Sequence, residues 1–125
     1  SIDFAFSWET LVYVEQEGID SYLADLARKL TMDGTAFLHH SNLASYSSYF
    51  DRTLKLPKSG RDSLKRRGLL DYDQWRARSV TADSFARSAR QAGLHVHTQE
   101  LIPWGGKRTI DCLTTLSKRS SQGPP

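Results

Sequence analysis

Alternating apolar residues at the start of the chain indicate a β-strand. Ile2, Phe4 and Phe6 lie two positions apart, so their side chains share one face of an extended backbone, and we expect the chain to start inside this strand. After a polar break, apolar residues recur at helical spacing from Ile19 to Leu30. That spacing predicts an amphipathic helix packed on a sheet.

A second strand is predicted from Thr35 to His39, because this apolar run follows the turn-forming pair Asp33-Gly34. A strand, a helix and a strand in succession make a right-handed parallel crossover in nearly every known case. The fold class expected from this half of the chain is therefore α/β.

Beyond this strand, Asn42 is expected to cap a helix that carries its apolar stripe from Leu43 to Leu54. The segment from Lys55 to Arg67 is basic and interrupted by Pro and Gly, and we interpret it as a connecting loop. Thr81 as N-cap and Gly93 as C-terminal stop delimit a further helix.

The last part of the chain predicts an antiparallel hairpin. Residues 94–102 and 108–116 are extended in pattern, and a short Pro- and Gly-containing turn joins them. Residues 117–125 are polar and rich in Gly and Pro, which is typical of a flexible tail.

The composition limits the class of protein. With 38% hydrophobic and 25% charged residues, the 125-residue chain has the balance of one globular domain, and it contains no apolar run near the roughly 20 residues that a membrane span needs. A single cysteine, Cys112, excludes an internal disulfide, so we expect a cytoplasmic location. The net charge of +3 permits an anionic partner without requiring one.

Polar side chains follow the second predicted strand: His39, His40, Ser41 and Asn42. The carboxyl ends of strands in open α/β sheets are where ligands bind, so these residues are candidates for a site. Because adjacent strand residues point to opposite faces, one imidazole is expected to face a pocket while the other packs or caps. The alternative is that both are strand-end residues with satisfied hydrogen bonds.

The order of elements resembles the C-terminal half of a class I S-adenosylmethionine-dependent methyltransferase. The segment from Asp3 to Val14 is similar to the fourth strand of that family and the loop after it. The segment from Tyr22 to Thr35 resembles the next helix, turn and fifth strand, with Met32 and Asp33 in place of the commoner Pro and Gly. Thr81 to Leu94 resembles the last helix running into the sixth strand, so the resemblance covers about residues 1 to 116.

Within that family, His-His-Ser-Asn at 39–42 and Trp-Arg-Ala-Arg at 75–78 look most like bacterial sugar O-methyltransferases. The resemblance implies transfer of a methyl group from S-adenosyl-L-methionine to a hydroxyl of a small-molecule or oligosaccharide acceptor. The Gly-rich turn and the acidic residue with which the family binds its cofactor are not in this sequence. We therefore expect residues 1–116 to be the distal half of a Rossmann-like domain, inactive alone and completed by a missing N-terminal half. A homo-oligomer is a further option.

The resemblance also assigns roles to residues. His40 is the preferred general base for a sugar hydroxyl, with His39 as second choice and Glu9 as a further catalytic candidate. Phe6, Ser7 and Trp8 would border the cofactor, whose sulfonium an aromatic face and a carboxylate favour. The candidate acceptor-binding residues supply aromatic, cationic, hydroxyl and amide groups: Tyr13, Ser41, Asn42, Trp75, Arg76, Arg78 and Trp104.

Two alternatives remain open on the sequence. A divalent metal, not favoured, would use His39 or His40 with Glu9 or Asp71. The runner-up function is a non-catalytic module in which the basic segment from Lys55 to Arg67 binds an anionic polymer such as nucleic acid.

Overall fold

A computed structural model describes residues 1–67, 76–103 and 108–118. In chain order the elements are strand β1 (Ile2–Leu11), helix α1 (Gln16–Lys29), strand β2 (Leu30–Ser41), a 3-10 turn (Leu43–Tyr46), helices α2 (Ser47–Leu54), α3 (Lys58–Arg66) and α4 (Ala82–Gln91), and strands β3 (His95–Ile102) and β4 (Asp111–Ser117). The α/β class expected from the sequence is confirmed.

The described strands form one four-stranded sheet in the order β1-β2-β4-β3. Strand β1 is parallel to β2, whereas β4 is antiparallel to both of its neighbours, β2 and β3. The crossover through α1 and the terminal hairpin are therefore as predicted. Strand β4 lies between β2 and β3, so β3 points in the same direction as β1 and β2.

Helices α1 and α4 cover one face of the sheet and form the main core with it. The apolar stripe predicted for α1 is buried, with Ile19 and Leu23 fully inaccessible, and Phe85 of α4 is equally buried. These side chains meet Leu38 and Leu116 from the sheet in one cluster. Burial of each large apolar side chain is worth about 1.5–3 kcal/mol, so this layer accounts for most of the packing energy.

The opposite face of the sheet carries exposed aromatic side chains along β1. Phe4 is 60% exposed and Phe6 is 63% exposed, and the Phe4 ring lies 5.7 Å from the ring of Phe37 on β2. Strand β1 is also at the edge of the described sheet. An apolar strand edge of this kind is a surface to which further strands pair readily.

Strand β2 begins earlier than predicted, because the pair Asp33-Gly34 lies inside the strand instead of forming a turn. The register with β1 shifts between the pairs Ile2–Leu30 and Phe4–Thr35, so the extra residues form a bulge. Gly34 is needed there: a Cβ atom would lie 2.7 Å from Cδ1 of Leu30.

The basic segment was wrongly interpreted as a loop, since Lys58–Arg66 is helical. Pro57 precedes the helix and its carbonyl accepts a hydrogen bond from the Arg61 N–H at 2.9 Å, as suits a proline at a helix start. Asn42 occupies the N-cap position of the 3-10 turn that precedes α2, but its side chain makes no capping hydrogen bond. The side chains of Phe50 and Leu54 lie outside the described residues.

Helix α4 has the ends that the sequence predicted. Thr81 and Ser84 form a reciprocal capping box, and Gly93 after the helix has a φ of 92°. Among the described helices, none has the length and apolar character to cross a lipid bilayer. The tail from residue 119 lies outside the described part of the chain.

Candidate functional site

Trp8 of β1 and His39 of β2 meet at the carboxyl ends of the two parallel strands. Their rings are stacked, with centroids 4.1 Å apart and an interplanar angle of 25°. The indole is 40% exposed, whereas the imidazole below it is fully buried. The ends of these two strands therefore border one common region.

Both ring nitrogens of His39 are hydrogen-bonded, and the partners define its tautomer. The backbone N–H of Glu9 donates to Nδ1 at 2.9 Å, and Nε2 lies 2.8 Å from Oδ2 of Asp111. A backbone N–H can only donate, so Nδ1 must be unprotonated and the proton is assigned to Nε2, which donates to the carboxylate. His39 is thus a neutral imidazole held at both ends.

Asp111 is a buried carboxylate that joins His39 to Arg76. Its Oδ1 lies 2.8 Å from Nε of Arg76, and its Oδ2 lies 3.3 Å from Nη2 of the same guanidinium. Burial raises the pKa of Asp111, but hydrogen bonds from His39 and Arg76 and the guanidinium charge together hold this pKa below its ordinary value. The carboxylate is therefore charged and paired inside the protein.

Glu9, directly after Trp8, has a left-handed backbone with φ of 60°. It lies where the register of β1 against β2 shifts, between Ser7 and Leu11. This conformation costs a non-glycine residue about 1–2 kcal/mol, and the hydrogen bond from its N–H to His39 helps to hold it. The side chain of Glu9 is exposed.

His40 points to the other face of the sheet and packs in the core. Its ring is stacked on Phe85 of α4 at 3.6 Å, and its Nδ1 and Nε2 lie 2.9 Å from the Ser41 carbonyl oxygen and 2.7 Å from Oγ1 of Thr114. Burial is the main cause that lowers the pKa of His40 to about 4.

The sequence analysis preferred His40 over His39 as the general base, and the geometry does not agree with that preference. The two imidazoles do point to opposite faces, but His39 lies on the side of Trp8 and Glu9. His40 was preferred because it is farther out, just beyond the predicted strand end at His39. Strand β2 continues to Ser41, and alternation turns His40 toward helix α4.

Ser41 and Asn42 hold neighbouring loops. Oγ of Ser41 donates to the Ala77 carbonyl at 2.7 Å and accepts the Leu43 N–H at 3.0 Å. Nδ2 of Asn42 donates to the Thr109 carbonyl at 2.8 Å, and its Oδ1 accepts the Ala82 N–H at 2.7 Å. Both were predicted to bind an acceptor, and in the structure both are buried and engaged with backbone groups.

The remaining predicted residues are distributed around this edge. Tyr13 is 50% exposed and lies under the Arg76 guanidinium, 5.6 Å from the ring centroid. Arg78 is exposed and lies 3.7 Å from Oδ1 of Asp51. Phe6 shares the open face with Trp8, whereas Ser7 alternates to the face that α1 and α4 cover. Trp75, Trp104 and Asp71 lie outside the described residues.

A carboxylate also fixes the loop after Arg76. Glu15 accepts hydrogen bonds from the N–H of Arg78 at 3.1 Å and of Ser79 at 3.0 Å. The side-chain hydrogen bond from Ser79 is the main cause that holds the pKa of Glu15 below its ordinary value. This loop is thereby tied to the start of α1.

No group of three His, Cys, Asp or Glu side chains converges on a metal-binding geometry within residues 1–67, 76–103 and 108–118. The metal option with His39 or His40 and Glu9 stays a sequence hypothesis. In the structure, Nδ1 of His39 receives the Glu9 backbone N–H, and His40 faces the core.

Sequence reasoning missed Asp111. The residue lies between Ile110 and Cys112, inside the run that was predicted to be the last strand. A charged residue in such a run is rarely buried unless it is paired, and that signal pointed to a cationic partner. The identity of the partner, Arg76, depends on the tertiary fold.

No protein-family model matches this chain, and no curated protein matches it in sequence. Its fold is similar to the crystal structure of the PH0226 protein from Pyrococcus horikoshii OT3, with a TM-score of 0.58 and 12% sequence identity. The similarity covers 92% of this chain and 50% of the other, so this chain spans about half the length of that protein. At this identity the similarity shows a shared α/β fold.

Proposed function

We propose that this chain is the distal half of a class I S-adenosylmethionine-dependent methyltransferase domain that methylates a hydroxyl of a sugar or saccharide. The strand arrangement is the observation that carries this proposal. Two parallel strands, β1 and β2, are joined through a helix, and the last strand of the chain, β4, is antiparallel and lies between β2 and β3. That is the order which the resemblance implies for this half of the domain.

The open side of β1 supports the second part of the proposal, that another segment completes the domain. Phe4 and Phe6 expose 60% and 63% of their surface on a strand at the edge of the described sheet. A further strand on that edge and a helix on that face would bury these rings. The similarity to half of a longer chain agrees with such an arrangement.

The residues of this chain fit one side of a cofactor site. The partly exposed indole of Trp8 and the exposed carboxylate of Glu9 belong to adjacent residues near the end of β1, and both groups favour a cation. The cofactor would supply an electrophilic methyl group on a sulfonium. The Gly-rich turn and acidic residue that hold the remainder of such a cofactor would come from the other half.

Alignment of the acceptor oxygen is the main requirement for methyl transfer, and a base adds about 10²–10⁴-fold. Of the three predicted catalytic residues, Glu9 has an exposed side chain, whereas His39 and His40 are fully buried, so Glu9 is the one that we propose as the base. His39 lies on the same side, but its Nδ1 accepts the Glu9 N–H. Tyr13 offers an aromatic face for a sugar ring nearby.

The test is transfer of a labelled methyl group to a saccharide by the full-length protein that contains this chain. Glu9→Gln should lower kcat by about 10²-fold or more, since it removes the base. Glu100→Gln, an exposed acid two strands away from His39, should leave the rate within about twofold. Absence of transfer, or equal rates for both variants, would contradict the proposal.

A second candidate function is binding of an anionic polymer. The observation that favours it is that part of the basic segment is a helix, α3, which carries Lys58, Arg61 and Arg66. Nε of Arg61 is inaccessible to solvent and has no hydrogen-bond partner among the described residues. If this function is the true one, affinity for single-stranded nucleic acid falls steeply with salt and is lost in a Lys58, Arg61, Arg66 triple glutamine variant. The matched control is the double variant Arg87→Gln, Arg90→Gln in α4, which should keep its affinity.

A further inference from the structure

A continuous chain of hydrogen bonds joins Arg76 to the backbone of Glu9. Nε of Arg76 contacts Oδ1 of Asp111 at 2.8 Å, Oδ2 of Asp111 contacts Nε2 of His39 at 2.8 Å, and Nδ1 of His39 accepts the Glu9 N–H at 2.9 Å. Asp111 and His39 are fully inaccessible to solvent. Bulk water does not compete for these groups, so each partner determines the protonation of the next.

We infer that Asp111 is a positioning residue that fixes the tautomer of His39 and thereby holds the Trp8–Glu9 turn at the end of β1. A carboxylate can only accept, so it requires a proton on Nε2 of His39. Nδ1 is then left with a lone pair that receives the Glu9 N–H. The opposite tautomer would set two N–H groups against each other at Glu9 and a lone pair against the carboxylate.

An amide at position 111 would reverse the donor and acceptor roles of the two ring nitrogens of His39. The Arg76 guanidinium is only a donor, so the oxygen of Asp111→Asn should turn to Nε of Arg76, the shorter of its two contacts. The NH2 group then faces His39, whose Nε2 has to accept and whose proton moves to Nδ1. An aspartate-to-asparagine change beside a catalytic histidine has the same effect on the tautomer in serine proteases.

The consequence reaches the surface through Glu9 and Trp8. Glu9 has a left-handed φ of 60°, a conformation that persists only where its surroundings hold it. With a proton on Nδ1 of His39, the Glu9 N–H loses its acceptor and the turn relaxes. Trp8, which is adjacent in sequence and stacked on the His39 ring, then changes its environment. Asp111 thus stabilises the Trp8–Glu9 turn indirectly, through His39.

Nuclear magnetic resonance on the protein with ¹⁵N-labelled histidine and backbone tests the inference without any variant. Long-range proton–nitrogen spectra should show His39 protonated on Nε2 and bare on Nδ1 at neutral pH. A scalar coupling across the hydrogen bond should connect the Glu9 amide nitrogen to Nδ1. A proton on Nδ1, or a Glu9 amide with no coupling to that nitrogen, would overturn the inference.

The variant Asp111→Asn should move the proton to Nδ1, abolish this coupling and shift the indole N–H signal of Trp8. Thr114→Val is the matched control, because it removes a hydrogen bond from His40 on the other face and should leave His39 unchanged. If Asp111→Asn keeps the proton on Nε2 of His39, or if the Trp8 indole signal does not move, the positioning role of Asp111 is refuted. If Asp111→Asn fails to fold, the two wild-type measurements decide the question alone.

The consequence for methyl transfer depends on the function proposed above. In the full-length enzyme, Asp111→Asn should lower kcat by 10-fold or more with little change in KM for the acceptor, while Thr114→Val keeps both. If the full-length protein transfers no methyl group at all, the proposed function fails but the tautomer result is unaffected. If it does and Asp111→Asn has wild-type kcat, the positioning role fails while the proposed function remains.

Discussion

His40 shows how burial changes the chemistry of a single residue. Its ring lies between the sheet and Phe85, and its nitrogens contact the Ser41 carbonyl and the Thr114 hydroxyl. The carbonyl can only accept, so Nδ1 carries the proton and Nε2 accepts from Thr114. A second proton would place a charge in a dry environment, and this burial is the main cause that lowers the pKa of His40. The folded state therefore holds His40 neutral.

Stability should consequently fall with acidity through this residue. The pKa of His40 is lowered from 6.5 to about 4, so the unfolded chain binds a proton before the folded one does. The contribution is complete above pH 6.5 and is lost as pH falls toward 4, by about 3 kcal/mol in total. Denaturant unfolding from pH 7 to pH 4 should show a shallower decline for His40→Gln than for the wild type.

The matched control for this experiment is Ser21→Ala, an exposed position of α1 that carries no titratable group. Its decline with acidity should follow that of the wild type. The lowered pKa of Asp111 also costs stability in acid, but that effect is present in all three proteins and cancels in the comparison. Parallel pH profiles for His40→Gln and the wild type would show that His40 is not held neutral.

Among the elements, α4 is the one whose ends are most completely specified by local sequence. The Thr81 side chain accepts the Ser84 N–H at 2.9 Å, and the Ser84 hydroxyl accepts the Thr81 N–H at 2.9 Å. Thr81→Ala removes one half of this box and should lower the free energy of unfolding by about 1 kcal/mol. Ser21→Ala, exposed within α1, should change it by less than about 0.5 kcal/mol. Urea unfolding measures both, and equal stabilities would contradict the capping role.

Local patterns were sufficient for the elements that bury one face. The stripe of α1, the caps of α4 and the terminal hairpin were predicted because each depends on residues close in sequence. Strand β2 was cut short, since Asp33-Gly34 is a turn signal when isolated and a bulge when β1 lies alongside. The basic segment was misjudged because its Pro and Gly were counted as breakers, although Pro57 starts the helix and Gly60 lies in its first turn.

The site was predictable only in part, because its contacts depend on strand length and on residues that are distant in sequence. The sequence located the polar ends of the two parallel strands, which finish at the same edge of the sheet, and in the structure Trp8 meets His39 there. It did not reveal which histidine faces Trp8, which depends on the length of β2. Nor did it reveal the pair of Asp111 and Arg76, which are 35 positions apart and meet only in the folded chain.

At the scale of the whole molecule, the open side of β1 carries the two most exposed large apolar side chains among the described residues, Phe4 and Phe6. Phe6→Lys should reduce self-association of this chain, because a charge on an edge strand opposes pairing. Leu101→Lys is the control: Leu101 is 48% exposed on β3, the opposite edge of the sheet. Analytical ultracentrifugation should show less association for Phe6→Lys only. Equal association of both variants would mean that β1 is not the contact surface.

Titration of the ¹⁵N-labelled full-length protein with S-adenosylhomocysteine tests the central claim most directly. We expect the backbone signals of Ser7, Trp8 and Glu9 to shift in a saturable manner while those of α3 stay in place. A titration that leaves the end of β1 unchanged, or one in which only a polyanion shifts signals and only in α3, would contradict the account.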